Sequence, residues 1–310
     1  MATRDQADSG RRAPRFLLTA DELHLVQDHV PTLLLPARFQ QRWNEDLDAG
    51  KFAERASAAL DQLVLKGLVA ADVPRDPIPD DLSGWLLESL MVFLSLHMAP
   101  ACVFTVSAWT RESTLLIVAS ARGGFASVLA RAQSVSITGG RGTAADLAGV
   151  EFAVVPFLTL ADELTGAIPS GGVVGDNGPL VTMSLADSRG GIEVLRVNNP
   201  DLLDELSSRI GGNSAVLALS GLAGDLDAGF ELRLSTDDGI PVRVISYVRG
   251  ASGWRSVDVG LPAGHDDELP TPEQIVDAGT ITIAAVTRAA IQAEVASLCA
   301  GLTLTEMAHG

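Results

Sequence analysis

The sequence predicts an α+β protein in which two duplicated halves share a central, mainly antiparallel β-sheet flanked by helices. Runs rich in Val, Ile, Thr and Ser predict a hairpin and a further strand within residues 103–138, and a similar series returns within residues 230–259. An apolar helical pattern follows each series, at residues 158–168 and 284–298. The repeated order of elements indicates a pseudo-twofold repeat, although strands of this composition also resemble one another by chance.

The composition is that of a globular protein. Apolar residues make up 47% of the 310-residue chain and charged residues 20%, and no run approaches the ~20 apolar residues that a membrane-spanning helix requires. A net charge of −17 argues against nucleic acid as a partner, because phosphate binding depends on clustered basic residues. Two cysteines, Cys102 and Cys299, are too few for a disulfide framework and are expected in the core of a cytoplasmic protein.

Shifts in composition divide the chain into four parts. Residues 1–15 are polar, lack the apolar segment of a secretory signal, and are predicted to be a disordered tail. Residues 16–169 form the N-terminal half, residues 170–196 a glycine-rich linker region, and residues 197–310 the C-terminal half. Together the two halves are expected to make one domain.

Three helices should precede the first group of strands. Thr19 and Glu22 have the spacing of a capping box, in which a hydroxyl and a carboxylate each accept from a free amide at a helix start. This helix should end before Pro31. Apolar residues at helical spacing predict a second helix over residues 51–69 and a third, largely buried one over residues 81–98.

The second half begins with two short helices, predicted over residues 201–210 and 214–222. The next strand places Phe230, Leu232 and Leu234 in alternation with polar residues, so one of its faces should meet water or a partner. Asp238-Gly239 is a strong signal for the hairpin turn that follows it.

The C-terminal region should combine a short helix, a β-like start and a long helix. An acidic loop over residues 262–272 leads to Thr271-Pro272-Glu273, which are typical of a capped helix start. From residue 280 the letters TITI are β-like, and the alanine-rich remainder to residue 298 predicts a long helix.

No group of residues has the spacing of a catalytic, cofactor or metal site. The five histidines are scattered, and His24 and His29 are five positions apart, which places them on different faces of a helix. The glycine-rich runs at residues 139–142 and 171–175 lack the Lys-Ser or Lys-Thr of a phosphate-binding loop and are interpreted as ordinary loops. We therefore expect no enzyme activity and no cofactor, which leaves protein binding as the favoured class of function.

The order of several short motifs resembles the EspG family, cytosolic chaperones of type VII (ESX) secretion in actinobacteria. Residues 18–23 (LTADEL) resemble the family's Leu-Thr and Glu start, and residues 35–39 (LPARF) its Leu-Pro segment. Residues 58–68 resemble its second helix, which ends in Gly-Leu, and residues 253–257 its late Gly-Trp hairpin. The resemblance spans most of the chain, whereas residues 143–156 look like an insertion.

This resemblance implies a pseudo-twofold sheet, no metal or catalytic residues, and a helical secreted client of the PE–PPE or WXG type. The client would contact the first hairpin loop and part of the helical region at residues 275–298. The residues implied for client binding are Trp109, Thr110, Arg111, Glu112, Ser113, Ile275 and Ile291. Trp109 is equally well interpreted as a core aromatic at a strand end.

Two other classes of function stay open at this point. A partly exposed sheet is also compatible with a regulatory or structural protein that forms homodimers. An enzyme with an unrecognised active site would require polar groups that converge in a deep pocket.

Overall fold

The structure is a computed structural model of the chain. The residues that it describes are 15–31, 33, 35–36, 38–39, 49–138, 141–171, 180–197, 200–210, 212–237, 239–261 and 271–309. The predicted N-terminal tail before residue 15 and most of the acidic loop at residues 262–272 lie outside these ranges.

Within the ranges described, ten strands form one antiparallel sheet. They are β1 (Arg15–Leu18), β2 (Cys102–Thr110), β3 (Ser113–Arg122), β4 (Phe125–Thr138), β5 (Arg141–Pro156), β6 (Val181–Ser184), β7 (Ala228–Thr236), β8 (Pro241–Gly250), β9 (Gly253–Gly260) and β10 (Thr280–Val286). Their spatial order is β1-β5-β4-β3-β2-β7-β8-β9-β10-β6, with antiparallel pairing at every step.

Helices cover both faces of this sheet. They are α1 (Ala20–His29), α2 (Ala49–Leu65), α3 (Glu88–Met98), α4 (Phe157–Gly166), α5 (Leu185–Val197), α6 (Pro200–Ile210), α7 (Asn213–Ala223), α8 (Pro272–Ala278) and α9 (Arg288–His309). The predicted α+β class with a helix-flanked antiparallel sheet is confirmed. The duplication stays a prediction, although the β2–β7 pair has a four-stranded meander on each side.

In the part of the chain that the structure describes, three hydrophobic clusters hold the layers together. The largest lies between α4, α9 and one face of the central strands, where Phe104 and Phe230 are fully buried. A second cluster packs α1, α2 and α3 against the opposite face of the first half. The third cluster packs α5, α6 and α7 against the second half of the sheet, on the same face as the second cluster. Ile281 and Ile283 of β10 define this face, because their side chains point away from Trp254, which belongs to the first cluster.

Between these two groups of helices, one face of the central strands is partly open. Glu231 and Arg233 of β7 lie there, and their side chains are about half exposed. Their neighbours across the β2–β7 ladder are Ser107 and Thr105. The prediction that one face of this strand meets water or a partner agrees with this arrangement.

Both predicted helix caps are present. The Thr19 hydroxyl accepts from the Glu22 amide at 3.3 Å, and the Glu22 carboxylate accepts from the Thr19 amide at 2.6 Å. Thr271 forms a second capping box with Gln274 at the start of α8. Because helix caps depend on near neighbours in the sequence, the box of Thr19 with Glu22 and the cap at Thr271 are predicted, whereas the bond of Gln274 to Thr271 is not.

Glu22 also belongs to a nearly buried ion pair that ties three elements together. The Lys66 ammonium lies 2.6 Å from each Glu22 carboxylate oxygen and donates to the Leu17 carbonyl at 2.6 Å. The Glu22 residue is only 1% exposed. The end of α2, the start of α1 and the edge strand β1 are therefore joined through one ammonium group.

Several predicted boundaries are wrong in the first half. The third helix begins at Glu88 rather than residue 81, because Ser83–Trp85 form a 3₁₀ turn and Leu86 makes a β-bridge with Val69. The predicted second helix ends at Leu65, before Gly67 with its φ of 68°. The segment 143–156, interpreted as an insertion, belongs to β5, which pairs with β4 and β1.

Further differences concern the second half. The predicted linker region contains β6 and most of α5, and Gly191 of α5 packs directly against Leu219 of α7. Glycines lower helix propensity, so the pattern around residues 190–191 does not predict α5. Near the C-terminus, β10 continues to Val286 and α9 begins only at Arg288.

Candidate protein-binding site

The β2–β3 turn is held in a compact conformation by its own side chains. The Thr110 hydroxyl accepts from the Ser113 amide at 3.1 Å and from the Glu112 amide at 3.3 Å. Because Thr110 also lies 3.0 Å from the Ser113 hydroxyl, the polar groups of the turn are paired internally. Arg111 and Glu112 are exposed to solvent at its tip.

Trp109 lies beside this turn on the partly open face of the sheet. Its cross-strand neighbour on β7 is Gly229, and a methyl group placed on Gly229 would lie 2.2 Å from the indole nitrogen of Trp109. The indole therefore rests on the bare backbone of Gly229, where no larger residue fits without moving the ring. Trp109 is half-buried, so part of an aromatic surface stays available beside the turn.

A shallow cleft of about 610 Å³ lies next to the turn. Three segments meet there: the β2–β3 turn, the connection from α7 to β7, and the β8–β9 turn. The lining residues are Arg111, Ser220, Gly221, Gly224, Asp225, Asp227, Ala251 and Ser252. Arg111 and Asp225 approach to 3.5 Å across it, but both side chains are exposed, so this pair contributes little to stability.

Arg249 anchors Asp227, one of the residues that line this cleft. Its guanidinium donates to Asp227 at 2.7 Å and to the carbonyls of Ser170 and Gly171, also at 2.7 Å. It lies 5.4 Å from the centre of the Trp254 ring. In the sequence Arg249 is interpreted only as a turn residue. Because side chains two positions apart on a strand share a face, its spacing from the buried Ile245 and Tyr247 would have indicated an inward side chain.

The structure does not bring all the residues implied for client binding together. Trp109, Thr110, Arg111, Glu112 and Ser113 form one contiguous turn. Ile275 lies on α8, which precedes β10. This places α8 at the end of the strands opposite the β2–β3 turn, where Thr280 pairs with Gly260.

Ile291 requires a correction. It is fully buried in the central cluster, because this face of α9 packs on the sheet and α4. Its side chain cannot contact a client in this conformation. Ile291 supports the sheet rather than a binding surface.

The described residues offer no arrangement typical of a catalytic or metal site. Within the ranges described, no three His, Cys, Asp or Glu side chains cluster closely enough to hold a metal ion. His97 lies 3.3 Å from the Ser120 hydroxyl beside α3. Both cysteines are buried, and burial raises the pKa of the Cys299 thiol to about 11.

No family model matches the sequence, and no curated protein matches it. Among solved structures, the chain is similar to the type VII secretion system chaperone EspG5 of Mycobacterium tuberculosis, solved in complex with the PE25–PPE41 dimer. The similarity covers 91% of this chain and 94% of that chain, with a TM-score of 0.56 and 12% sequence identity. The chain has an EspG-like fold.

The EspG-like fold extends over both halves of the sheet and their helices, since the similarity covers nearly all of each chain. In the part of the EspG-like fold that the structure describes, no helix combines the length and apolar character needed to cross a bilayer.

Proposed function

We propose that this protein is a cytoplasmic chaperone that binds a helical secreted client of a type VII system and keeps it soluble for export. The observation that carries the proposal is the near full-length similarity to EspG5, a chaperone solved with a PE–PPE dimer. A client of PE–PPE type is the first expectation, and a WXG-type helical client is the second.

The β2–β3 turn and its cleft support a location for the client. Trp109 offers a half-exposed aromatic surface held in place by Gly229, and pre-positioned aromatic side chains are the most frequent binding hot spots. The turn needs no rearrangement to present Arg111 and Glu112, because the Thr110 hydroxyl already accepts hydrogen bonds from the backbone amides of the turn. The client surface therefore comprises residues 109–113 with the α7–β7 connection and the β8–β9 turn.

Charge at the rim would select the orientation of the client rather than supply most of the affinity. Arg111, Glu112 and Asp225 are exposed, and exposed charges mainly influence association rate and specificity. The strong net negative charge of −17 keeps the unloaded chaperone soluble. The apolar contact with Trp109 is the expected source of binding energy.

Co-expression with candidate clients tests this function. We expect the chain to co-purify with one PE–PPE-type pair from its own genome, and light scattering should show one 32.3 kDa chain per client pair. WXG-type pairs from the same genome serve as the comparison set. A chain that forms a homodimer with or without every client pair would contradict the chaperone function and favour the structural alternative.

A further inference from the structure

The sheet is split between β8 and β9. On one side, β8 pairs with β7 along nearly its whole length, from Arg249 with Ala228 to Pro241 with Ser235. On the other side it pairs with β9 only over residues 247–250. Residues 241–246 of β8 and 257–260 of β9 therefore separate from each other inside the sheet.

The corresponding hairpin of the first half has no such split. There β3 and β4 pair over ten consecutive residues, from Arg122 with Phe125 to Ser113 with Ser134. The β8–β9 hairpin pairs over four. The opening is thus a local feature of the second half and not a general property of these meanders.

A cavity of about 190 Å³ occupies the split. Val244 and Val257 line it from one face of the sheet, whereas Arg243, Tyr247 and Glu294 line it from the other, so the cavity passes between the strands. Tyr247 donates a hydrogen bond to Glu294, and burial together with this bond raises the pKa of the tyrosine. Tyr247 stays protonated and closes the inner end of the cleft.

Two unpaired strand edges face this cleft. Along an antiparallel strand, alternate residues direct both N–H and C=O toward each side, so half of residues 241–246 direct theirs to the open side. Among the described residues, no strand pairs with this side of β8 over residues 241–246 or with the facing edge of β9 over residues 257–260. An extended peptide is the ligand whose backbone matches such an edge.

We propose that the open edge of β8 binds an extended segment of a partner protein in which aliphatic residues alternate with basic residues. β8 and β9 are antiparallel, so an inserted strand can be antiparallel to only one of them. Antiparallel pairing is the more stable arrangement. The edge that faces the cleft is open along six residues of β8 but only four of β9. The bound segment therefore runs antiparallel to β8.

The side chains around the cleft determine this alternation. On one face Val242, Val244 and Val259 are 61%, 39% and 46% exposed, which favours aliphatic partners. On the other face Glu294 and Asp258 outnumber Arg243, which lies 3.5 Å from Glu294. An excess of acidic groups there, within a chain of net charge −17, favours basic residues at the alternate positions.

This site does not rest on the proposed chaperone function. The cleft opens at Pro241 and Gly260, at the end of the strands opposite the β2–β3 turn. The ladder shows this, because Trp109 pairs with Gly229, which pairs with Val248 near the far end of β8. A client at the turn and a strand at the split would occupy separate ends of the molecule. Each is testable without the other.

The test uses a synthetic peptide, acetyl-Lys-Val-Lys-Val-Lys-Val-Lys-amide, and the full-length protein. We expect saturable binding and at least tenfold slower hydrogen exchange at those amides of residues 242–246 that are directed toward the open side of β8, because the others already face β7. The same peptide with N-methyl groups on alternate residues should bind at least tenfold more weakly, because it cannot complete the backbone pairing. Equal binding of both peptides, or slow exchange of these open-side amides without peptide, would overturn the proposal.

A matched pair of variants separates the cleft from general charge effects. Val244→Lys should weaken binding of the peptide at least tenfold, whereas Val276→Lys, a similarly exposed valine on α8, should leave it unchanged. Both side chains are exposed, so the melting temperatures should stay close to that of the parent. Equal affinity of the two variants, or protection of residues 242–246 that arises from dimerisation of the chain, would refute the site.

Discussion

Replacing Trp109 by alanine should weaken client binding about 30-fold or more, because a central aromatic hot spot contributes about 2 kcal/mol or more. The indole is the only aromatic side chain in the described part of the β2–β3 hairpin loop, and Gly229 holds it in position before a client arrives. Removing it should not unfold the protein, since Trp109 is only half-buried and belongs to none of the three core clusters.

The affinity of the co-purified client pair for each variant, measured by calorimetry, checks this prediction. Phe125→Ala is the matched control, because Phe125 is 52% exposed at the opposite end of the first meander. Gly229→Ala should also reduce affinity while keeping the indole, since the added methyl group displaces the ring. Equal losses for Trp109→Ala and Phe125→Ala would place the client elsewhere.

Replacing Lys66 by methionine should lower the free energy of unfolding by about 3–5 kcal/mol, the usual effect of removing one partner of a buried ion pair. The substitution leaves the Glu22 carboxylate, 1% exposed, without its cation, and removes the bond to the Leu17 carbonyl. The loss should be large because α1, α2 and β1 are all joined through this ammonium group.

Urea unfolding of three variants checks this second prediction. Lys51→Met, which changes an exposed lysine of α2, should alter stability by less than about 1 kcal/mol, because interactions of exposed charges contribute little. Adding Glu22→Gln to Lys66→Met should recover part of the loss, because glutamine keeps the capping box but carries no charge. A Lys66→Met protein as stable as the parent would show that the pair contributes nothing.

The sequence predicts best those features that depend on neighbouring residues. The capping box at Thr19 is predicted from two residues three positions apart, and the helix cap at Thr271 from the proline and glutamate that follow it. The alternation around Phe230 follows from the two-residue period of a strand. The short helices of the second half agree with their predicted ranges for the same reason. Such local preferences largely determine the class of fold.

Features that depend on distant partners are not predictable in this way. The short edge strands β1 and β6 contain four residues each and are defined only by pairing with β5 and β10. The split between β8 and β9 has no local signal either, because both strands have ordinary strand sequences. It depends on where the ladder ends, which is a property of the packed sheet.

The candidate site is predictable only in part. The family resemblance assigns residues 109–113 to the first hairpin loop, but it does not predict the contact between Trp109 and Gly229, which are 120 positions apart. Ile291 was expected at the client surface only through the family resemblance, whereas in the fold its side chain lies in the central core. Burial of a helix face is determined by its neighbours.

Hydrogen exchange on the purified complex with a client pair locates the client surface. We predict slower exchange at residues 109–113, in the α7–β7 connection and in the β8–β9 turn, with no change at α8 at the opposite end of the strands. Protection confined to α8, or a complex that leaves residues 109–113 as accessible as in the free protein, would contradict this prediction.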